Sequence, residues 1–245
     1  IITSIGDADK RIKEDYLRIL RYLRVYLDYS KQPHNPAIIR TLKINIGGIS
    51  KLSKERLFNE LKKIIKVDTI ENLIKDKLSL DLILIIFPEL KSIKTFSKLD
   101  FKNKDLLKKQ DFIFLLSLAI IDDTDNTDYF LYRFNISKKD QKRIKIIDNF
   151  YKEKINSKTF TENNMNKVFY YFGKQASCDI LNYRIIKLNK VDQTLIALSQ
   201  QYENKDVPTM PVSAELLMGK YKIPEGKQLG EKLRIIEEQW VKNNF

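Results

Sequence analysis

Three charged residues near the start of the chain have the spacing of one helix face. Arg11, Asp15 and Arg18 recur at helical intervals, so a continuous helix would align their side chains. A carboxylate only accepts hydrogen bonds and a guanidinium only donates them, and such a pair can recognise a ligand that carries the opposite pattern. Taken alone, the spacing is more typical of a surface ion pair, which contributes little to stability.

The ligands that fit this pair are nucleobases of one kind. Cytosine and adenine each present an amino donor beside a ring-nitrogen acceptor, whereas uracil and guanine present a carbonyl acceptor beside an N–H donor. An aspartate that accepts from the amino group and an arginine that donates to the ring nitrogen would therefore bind C or A. With U or G both contacts are mismatched, and buried groups without partners destabilise the complex.

Two stretches around this pair resemble motifs of the bacterial tRNA nucleotidyltransferase and poly(A) polymerase family. The first is similar to the nucleotide-recognition motif of that family and reads Gly6-Asp7-x-x-x-Arg11-Ile12-x-Glu14-Asp15-x-Leu17-Arg18-Ile19-Leu20-Arg21. The second is similar to the motif that follows it in the neck region and reads Ser53-Lys54-Glu55-Arg56-Leu57-Phe58-Asn59-Glu60-Leu61. Both occur in the family order, and the strong similarity covers residues 5–67.

The resemblance assigns roles to individual residues. It implies that Asp15 and Arg18 pair with the base of an incoming CTP or ATP and that Glu14 orients Arg18. The remaining members of the implied nucleotide-binding set are Arg11 and Arg21. Three residues of the second motif are implied to brace the nucleotide-binding helix, namely Glu55, Arg56 and Glu60. No catalytic residue and no metal ligand is expected in this chain.

The resemblance also implies what the chain does. It predicts template-independent addition of C and A nucleotides (CCA) to tRNA 3′ ends, with this chain supplying nucleotide selection and tRNA binding. A reducing, cytoplasmic compartment is indicated separately by the single cysteine. Family members hold Mg²⁺ through paired aspartates of a head domain, which is expected to be missing here or encoded separately as a partner. Asp7-Ala8-Asp9 has a similar spelling, but its place at a helix start predicts N-capping.

Three alternatives remain open at this point. The shared motif does not separate CCA addition from poly(A) polymerase activity. A head-less RNA-binding module without catalysis would have the same motifs. A helical scaffold whose charge reflects genome composition is the third.

Composition gives an indication of partners. The chain has 45 Lys and Arg against 32 Asp and Glu, a net charge of +13, and surplus positive charge attracts phosphate polymers. One lysine-rich group on a predicted helix is a weak RNA-binding candidate, and it consists of Lys138, Lys139, Lys142 and Arg143. The same group is also typical of a solvated surface.

Several functional classes are excluded by residue counts. One cysteine, Cys178, and one histidine, His34, cannot form a disulfide framework or a Cys/His zinc site within this chain. The prolines around His34 predict a turn-surface position for it. The acidic stretch 122–128 lacks the glycine and closing glutamate of a calcium loop and predicts a solvated loop. The longest apolar run, Leu82 to Phe87, is too short to span a bilayer.

The sequence predicts an all-α fold, an elongated array with a neck (1–100), a helical body (101–175) and a tail (176–245). Only 7 Gly and 6 Pro occur in 245 residues, which disfavours turn-rich β folds. Helices are predicted at 10–29 with Asp9 as cap, from 37 to a stop at Gly47-Gly48, and at 54–65, 69–76, 79–86, 111–121, 137–154, 161–172 and 190–202, with a final pair hinged at 219–226. The aromatic run 169–172 predicts core packing.

Overall fold

The computed structural model describes residues 7–98, 101–153, 157–188 and 192–245, and the described chain is helical without a β-strand. The all-α prediction is therefore confirmed. The structure divides into two compact units, with the boundary between Asn149 and Phe150. The predicted division into neck, body and tail stays a prediction.

The first unit contains ten α-helices that begin within it and two 3₁₀ helices, among the described residues. The α-helices are α1 (Ala8–Glu14), α2 (Leu17–Tyr29), α3 (Pro36–Asn45), α4 (Lys54–Ile64), α5 (Val67–Lys75), α6 (Lys77–Ile86), α7 (Phe101–Lys108), α8 (Phe112–Ile120), α9 (Asn126–Phe134) and α10 (Lys138–Lys152). The 3₁₀ helices are Ile46–Lys51 and Ile93–Lys98.

Helix α2 forms the centre of this unit. It contacts α1, α4 and α5, and its Leu20 and Leu23 are completely buried. A second part of the core is aromatic, where the Phe58 ring of α4 packs against Phe130 and Phe134 of α9. Because α4 contacts both α2 and α9, it links the first of the two motifs to the aromatic part of the core.

The predicted helix from residue 10 to 29 is wrong in one place, since the chain leaves the helical conformation at Asp15. The backbone there is extended (φ −151°, ψ 101°), and α1 ends at Glu14 while α2 begins at Leu17. The cap of α1 is Asp7, which accepts from the amides of Asp9 and Lys10. N-capping by the Asp7-Ala8-Asp9 stretch is confirmed, although the capping residue is Asp7 rather than Asp9.

The predicted helix stop at Gly47-Gly48 has a different physical basis. Helix α3 ends at Asn45, and both glycines continue into the 3₁₀ helix Ile46–Lys51. Neither glycine has a positive φ, so neither is a left-handed C-cap. Gly48 is instead required for space: a Cβ atom there would lie 2.0 Å from the Tyr16 ring, whereas one at Gly47 would meet nothing within 4 Å.

Local capping signals place α4 and α8 as predicted, whereas α7 and α9 were not predicted. Ser53 caps α4 by accepting from the Arg56 amide, and Asp111 caps α8 by accepting from the Phe114 amide. The predicted solvated loop at 122–128 is wrong for its second half, because α9 begins at Asn126, and Asn126 and Thr127 are buried. The preceding residues form the loop, in which Asp122 accepts from the Thr124 hydroxyl.

The second unit consists of α11 (Glu162–Lys187), α12 (Gln193–Asn204), α13 (Ala214–Tyr221) and α14 (Lys227–Lys242), with a short 3₁₀ helix at Ser157–Phe160. Helix α12 packs along α11, and α13 and α14 form the predicted final pair. The Trp240 ring of α14 packs edge-on against Tyr170 of α11 and against Phe245.

Helix α11 differs from its prediction in length and in burial. It extends to Lys187 through a kink at Gly173, which has a positive φ of 85°. Core packing of the aromatic run holds for Phe169 but not for Tyr171 and Phe172, which are half exposed. Successive residues of a helix point in directions about 100° apart, so four in a row cannot all face one core.

None of the described helices is both long enough and apolar enough to cross a bilayer.

Candidate functional site

The acceptor and donor singled out in the sequence lie on either side of the break between α1 and α2. Asp15 follows α1 directly and has an extended backbone, and Arg18 belongs to the first turn of α2. The Arg18 amide donates to the Asp15 carbonyl at 3.0 Å, and the Ile19 amide donates to the Tyr16 carbonyl at 3.1 Å. The two predicted site residues are therefore fixed to each other by a tight hydrogen-bonded turn rather than by one helix face.

The Asp15 carboxylate is held from two directions. It accepts from the amide of Leu17, the first residue of α2, at 3.1 Å. Nη2 of Arg56 on α4 donates to both carboxylate oxygens, at 3.1 and 3.0 Å. The side chain is 23% exposed. Since a carboxylate has about four acceptor positions, these contacts leave room for about one further donor.

Arg18 pairs with Glu14 and not with Asp15. Its Nη2 lies 3.6 Å from Oε2 of Glu14, the last residue of α1, and the Arg18 side chain is 39% exposed. This ion pair engages one edge of the guanidinium, which has five N–H donors. Arg11 lies on α1 and is exposed, so the break separates it from the helix face that its spacing predicted.

A buried carboxylate below this turn collects the neighbouring cations. Glu60 of α4 is 3% exposed, and it accepts from Nε of Arg24 at 3.2 Å and from Nζ of Lys63 at 2.8 Å. Arg21 lies between the two carboxylates, 3.8 Å from Glu60 and 3.9 Å from Asp15. Burial raises the pKa of Glu60, but the hydrogen bonds and charges of Lys63 and Arg24 outweigh it, so its pKa lies below the ordinary 4.5.

This lowered pKa predicts a loss of stability in acid. Because the folded state favours the Glu60 carboxylate, its contribution is present above the ordinary pKa of 4.5 and is lost as pH falls through the lower folded-state value. We expect the Tm of the protein to fall more steeply below pH 4.5 than that of Glu60→Gln, in thermal melts by circular dichroism. Parallel Tm curves for the two proteins would contradict this assignment.

Only some residues of the second motif (53–61) contact the first motif or the rest of α2. Arg56 contacts Asp15 and Glu60 contacts two arginines of α2, while Glu55 is exposed in the first turn of α4. Arg24 was missed by the sequence interpretation, as was the contact of Tyr16 with Gly48. The residues of the Arg24–Glu60 bond are 36 positions apart, and no local pattern signals such a contact.

The weak RNA-binding group on α10 has two kinds of members. Lys138, Lys139 and Lys142 are exposed, as an RNA-facing group requires. Arg143 is 17% exposed and forms a salt bridge with the α8 cap Asp111. Arg143 therefore ties α10 to α8, and the three lysines are the accessible part of the group.

The predicted surface position of His34 is wrong, since its side chain is 3% exposed. Nε2 lies 2.7 Å from the Asp76 carboxylate and 3.1 Å from the Ser79 hydroxyl, and the ring stacks on Tyr26. Nδ1 contacts the Tyr22 hydroxyl. Serine and aspartate approach the same ring nitrogen, unlike in a Ser-His-Asp triad, and Ser79 is fully buried. This cluster anchors the loop before α3.

Two further groups that could carry chemistry are the cysteine thiol and the clustered carboxylates. Burial raises the pKa of the Cys178 thiol to about 11, which disfavours the reactive thiolate. Within the described ranges, no group of three or more His, Cys, Asp and Glu side chains could hold a metal ion. Asp9, which belongs to an Asp-x-Asp sequence like that of paired metal ligands, instead accepts hydrogen bonds from Lys13 and from the Asn45 side-chain amide.

Comparison with known proteins gives a consistent result. A family model described as "Probable RNA and SrmB-binding site of polymerase A" matches residues 36–94. The human mitochondrial CCA tRNA nucleotidyltransferase 1 is 30% identical over 248 residues, which cover all of this chain and 55% of that protein. The CCA-adding enzyme of Staphylococcus haemolyticus is 28% identical over 182 residues, or 74% of this chain and 42% of that enzyme.

A solved structure shows the same fold. The CCA-adding enzyme of Bacillus stearothermophilus, crystallised in complex with CTP, superposes with a TM-score of 0.65 at 15% identity and covers 99% of this chain. This chain spans about half the length of the relatives that it matches. Its two motifs, its helical fold and these similarities together show that the chain belongs to the CCA tRNA nucleotidyltransferase and poly(A) polymerase family and is consistent with its C-terminal part.

Proposed function

We propose that this chain selects CTP and ATP and binds tRNA during template-independent addition of CCA to tRNA 3′ ends. The observation that carries the proposal is the hydrogen-bonded turn from Asp15 to Arg18, which places one acceptor and one donor fork three residues apart at the junction of α1 and α2. Glu14 and Arg56 hold these two groups from α1 and α4. The relatives named as CCA-adding enzymes support the same activity.

In the proposed mechanism the turn replaces a nucleic-acid template. Asp15 accepts from the exocyclic amino group of cytosine or adenine, and Arg18 donates to the adjacent ring nitrogen. Because Leu17 and Arg56 already hold the Asp15 carboxylate, its position is fixed before the nucleotide arrives. UTP and GTP would place an acceptor against Asp15 and a donor against Arg18, and both contacts would be lost.

The tRNA is proposed to bind through shape and phosphate contacts. The net charge of +13 and the exposed Lys138, Lys139 and Lys142 support such binding, which should weaken steeply as salt increases. The match of residues 36–94 to a probable RNA-binding site supports an RNA partner as well.

The chemical step itself is proposed to take place outside these residues. Nucleotidyl transfer uses Mg²⁺ to stabilise the developing charge, but the described side chains do not fit such an ion, since no suitable cluster exists among them. A nucleotidyltransferase head domain, in the same or a separate polypeptide, would supply its ligands. Cytoplasmic location stays a prediction, because the human relative is named as mitochondrial.

The proposal is tested by incubating the full-length gene product with CTP, ATP, Mg²⁺ and a tRNA that lacks its CCA end. We expect a product whose 3′ end reads CCA when sequenced. If the gene product does not contain a head domain, the separately encoded head is added to the same reaction. Binding of tRNA without any extension in either reaction would support the alternative of a head-less RNA-binding module.

Poly(A) polymerase activity is the second candidate, and the description of the matched family model favours it. The two activities differ in their RNA substrate and in their product. A parallel reaction with an unstructured RNA primer separates them, because a CCA-adding enzyme prefers the tRNA and stops after CCA. Extended runs of A on the unstructured primer would support the polymerase and contradict CCA addition.

A further inference from the structure

The ring of Tyr16 lies directly against the backbone of Gly48. A Cβ atom at Gly48 would lie 2.0 to 2.3 Å from three carbon atoms of this ring, a distance at which side chain or backbone must move. Gly48 itself is buried in the 3₁₀ helix Ile46–Lys51. The Lys51 ammonium of the same segment lies 5.6 Å from the ring centroid on the ring face, within the range of a cation–π contact.

Tyr16 lies within the turn from Asp15 to Arg18. It lies between Asp15 and the first residue of α2. The Asp15 carboxylate accepts from the Leu17 amide, and the Tyr16 carbonyl accepts from the Ile19 amide. The Arg18 amide donates to the Asp15 carbonyl. A displacement of the Tyr16 ring therefore moves the backbone that fixes both the carboxylate and the guanidinium.

The same region of the chain also holds α1. Asn45, the last residue of α3, donates to the Asp9 carboxylate of α1 at 2.7 Å and to the Thr41 carbonyl at 2.9 Å. The segment from Asn45 to Gly48 thus contacts the motif before the break, through Asp9, and at the break, through Tyr16. Arg56 of α4 is a second support of the same turn, through its salt bridge to Asp15.

We propose that Gly48 is a positioning residue for nucleotide selection, because the space it leaves seats the Tyr16 ring and so sets the Asp15–Arg18 turn. Gly48 touches neither base nor phosphate in this role. The inference rests on the proposed function and adds a residue that neither family motif contains. It explains why a glycine is required at a position whose backbone conformation does not demand one.

The test compares Gly48→Ala with Gly47→Ala in the full-length gene product, together with its separately encoded head where one is needed. Single-turnover incorporation from CTP and UTP is measured beside tRNA affinity. Small misplacements of binding groups have large effects on rate, so we expect Gly48→Ala to lower the preference for CTP by about 10-fold or more. The CTP-to-UTP ratio measured on the same tRNA is the readout, because a change in tRNA affinity alone affects both nucleotides equally. Gly47→Ala should retain the preference, since nothing lies within 4 Å of its added Cβ.

A second variant covers the case in which Gly48→Ala does not fold. Tyr16→Ala removes the ring without a clash and should lower the preference for CTP in the same way. Where both single variants fold, the double variant should be no less selective than Gly48→Ala alone, because the two act through one contact. Additive losses would contradict this coupling.

Two outcomes separate this inference from the proposed function. If Asp15→Ala relaxes selection but folded Gly48→Ala and Tyr16→Ala keep it, the positioning role is wrong and the proposed function stands. If Asp15→Ala itself retains full preference for CTP, the proposed function is wrong, and the inference that depends on it fails with it.

Discussion

Replacing Asp15 by alanine in the full-length gene product should allow UTP to compete with CTP. The carboxylate is the acceptor that the cytosine amino group needs and that the uracil carbonyl opposes. An opposed, buried polar contact costs about 1–3 kcal/mol, so we expect the preference for CTP over UTP to fall by about 10- to 100-fold. Single-turnover incorporation with each nucleotide measures the ratio directly.

The matched controls separate recognition from charge. Asp81→Ala removes the same charge from an exposed position on α6 and should leave the preference intact. Arg18→Lys keeps the charge of the donor but not its planar fork, and it should also weaken selection. Full discrimination in Asp15→Ala would disprove the template role of this residue.

Replacing Glu60 by alanine should destabilise the first unit more than any other single change of a charged residue discussed above. The carboxylate is 3% exposed and accepts from Arg24 and Lys63, with Arg21 nearby. Removing it leaves these cations without their shared partner. Because two of them are about half exposed, water replaces part of the loss, and we expect about 2 kcal/mol. Urea denaturation followed by circular dichroism measures the change.

Glu55→Ala is the control for this experiment. It lies five residues earlier on the same helix and is exposed, so its effect should stay within about 0.5 kcal/mol. Equal losses in the two variants would show that helix propensity, rather than the cation cluster, determines the stability of α4.

Local signals in the sequence were sufficient for much of the fold. Ser53 and Asp111 cap their helices through bonds to amides three positions ahead, which is a pattern readable from neighbouring residues. The composition and the helical spacing of apolar residues correctly indicated an all-α protein. The resemblance directed attention to Glu14, Asp15 and Arg18, whose implied functions stay predictions.

The break at Asp15 could not be read in the same way. Apolar residues at helical spacing continue through Tyr16 from α1 into α2, so periodicity favoured one helix. The chain turns because three contacts stabilise the break. The Asp15 carboxylate accepts from the Leu17 amide and from Arg56, which is 41 positions away, and the Tyr16 ring packs against Gly48. His34 was misplaced for a similar reason, since its partners Asp76 and Ser79 are more than 40 positions away.

The position of the single tryptophan has a practical consequence for spectroscopy. Trp240 is the one tryptophan of the sequence, and it packs against Tyr170 and Phe245 within the second unit. Its intrinsic fluorescence should therefore report on residues 150–245 and should not change with local changes around Asp15. Unfolding curves recorded by fluorescence and by circular dichroism should diverge wherever a substitution such as Glu60→Ala loosens only the unit that contains it.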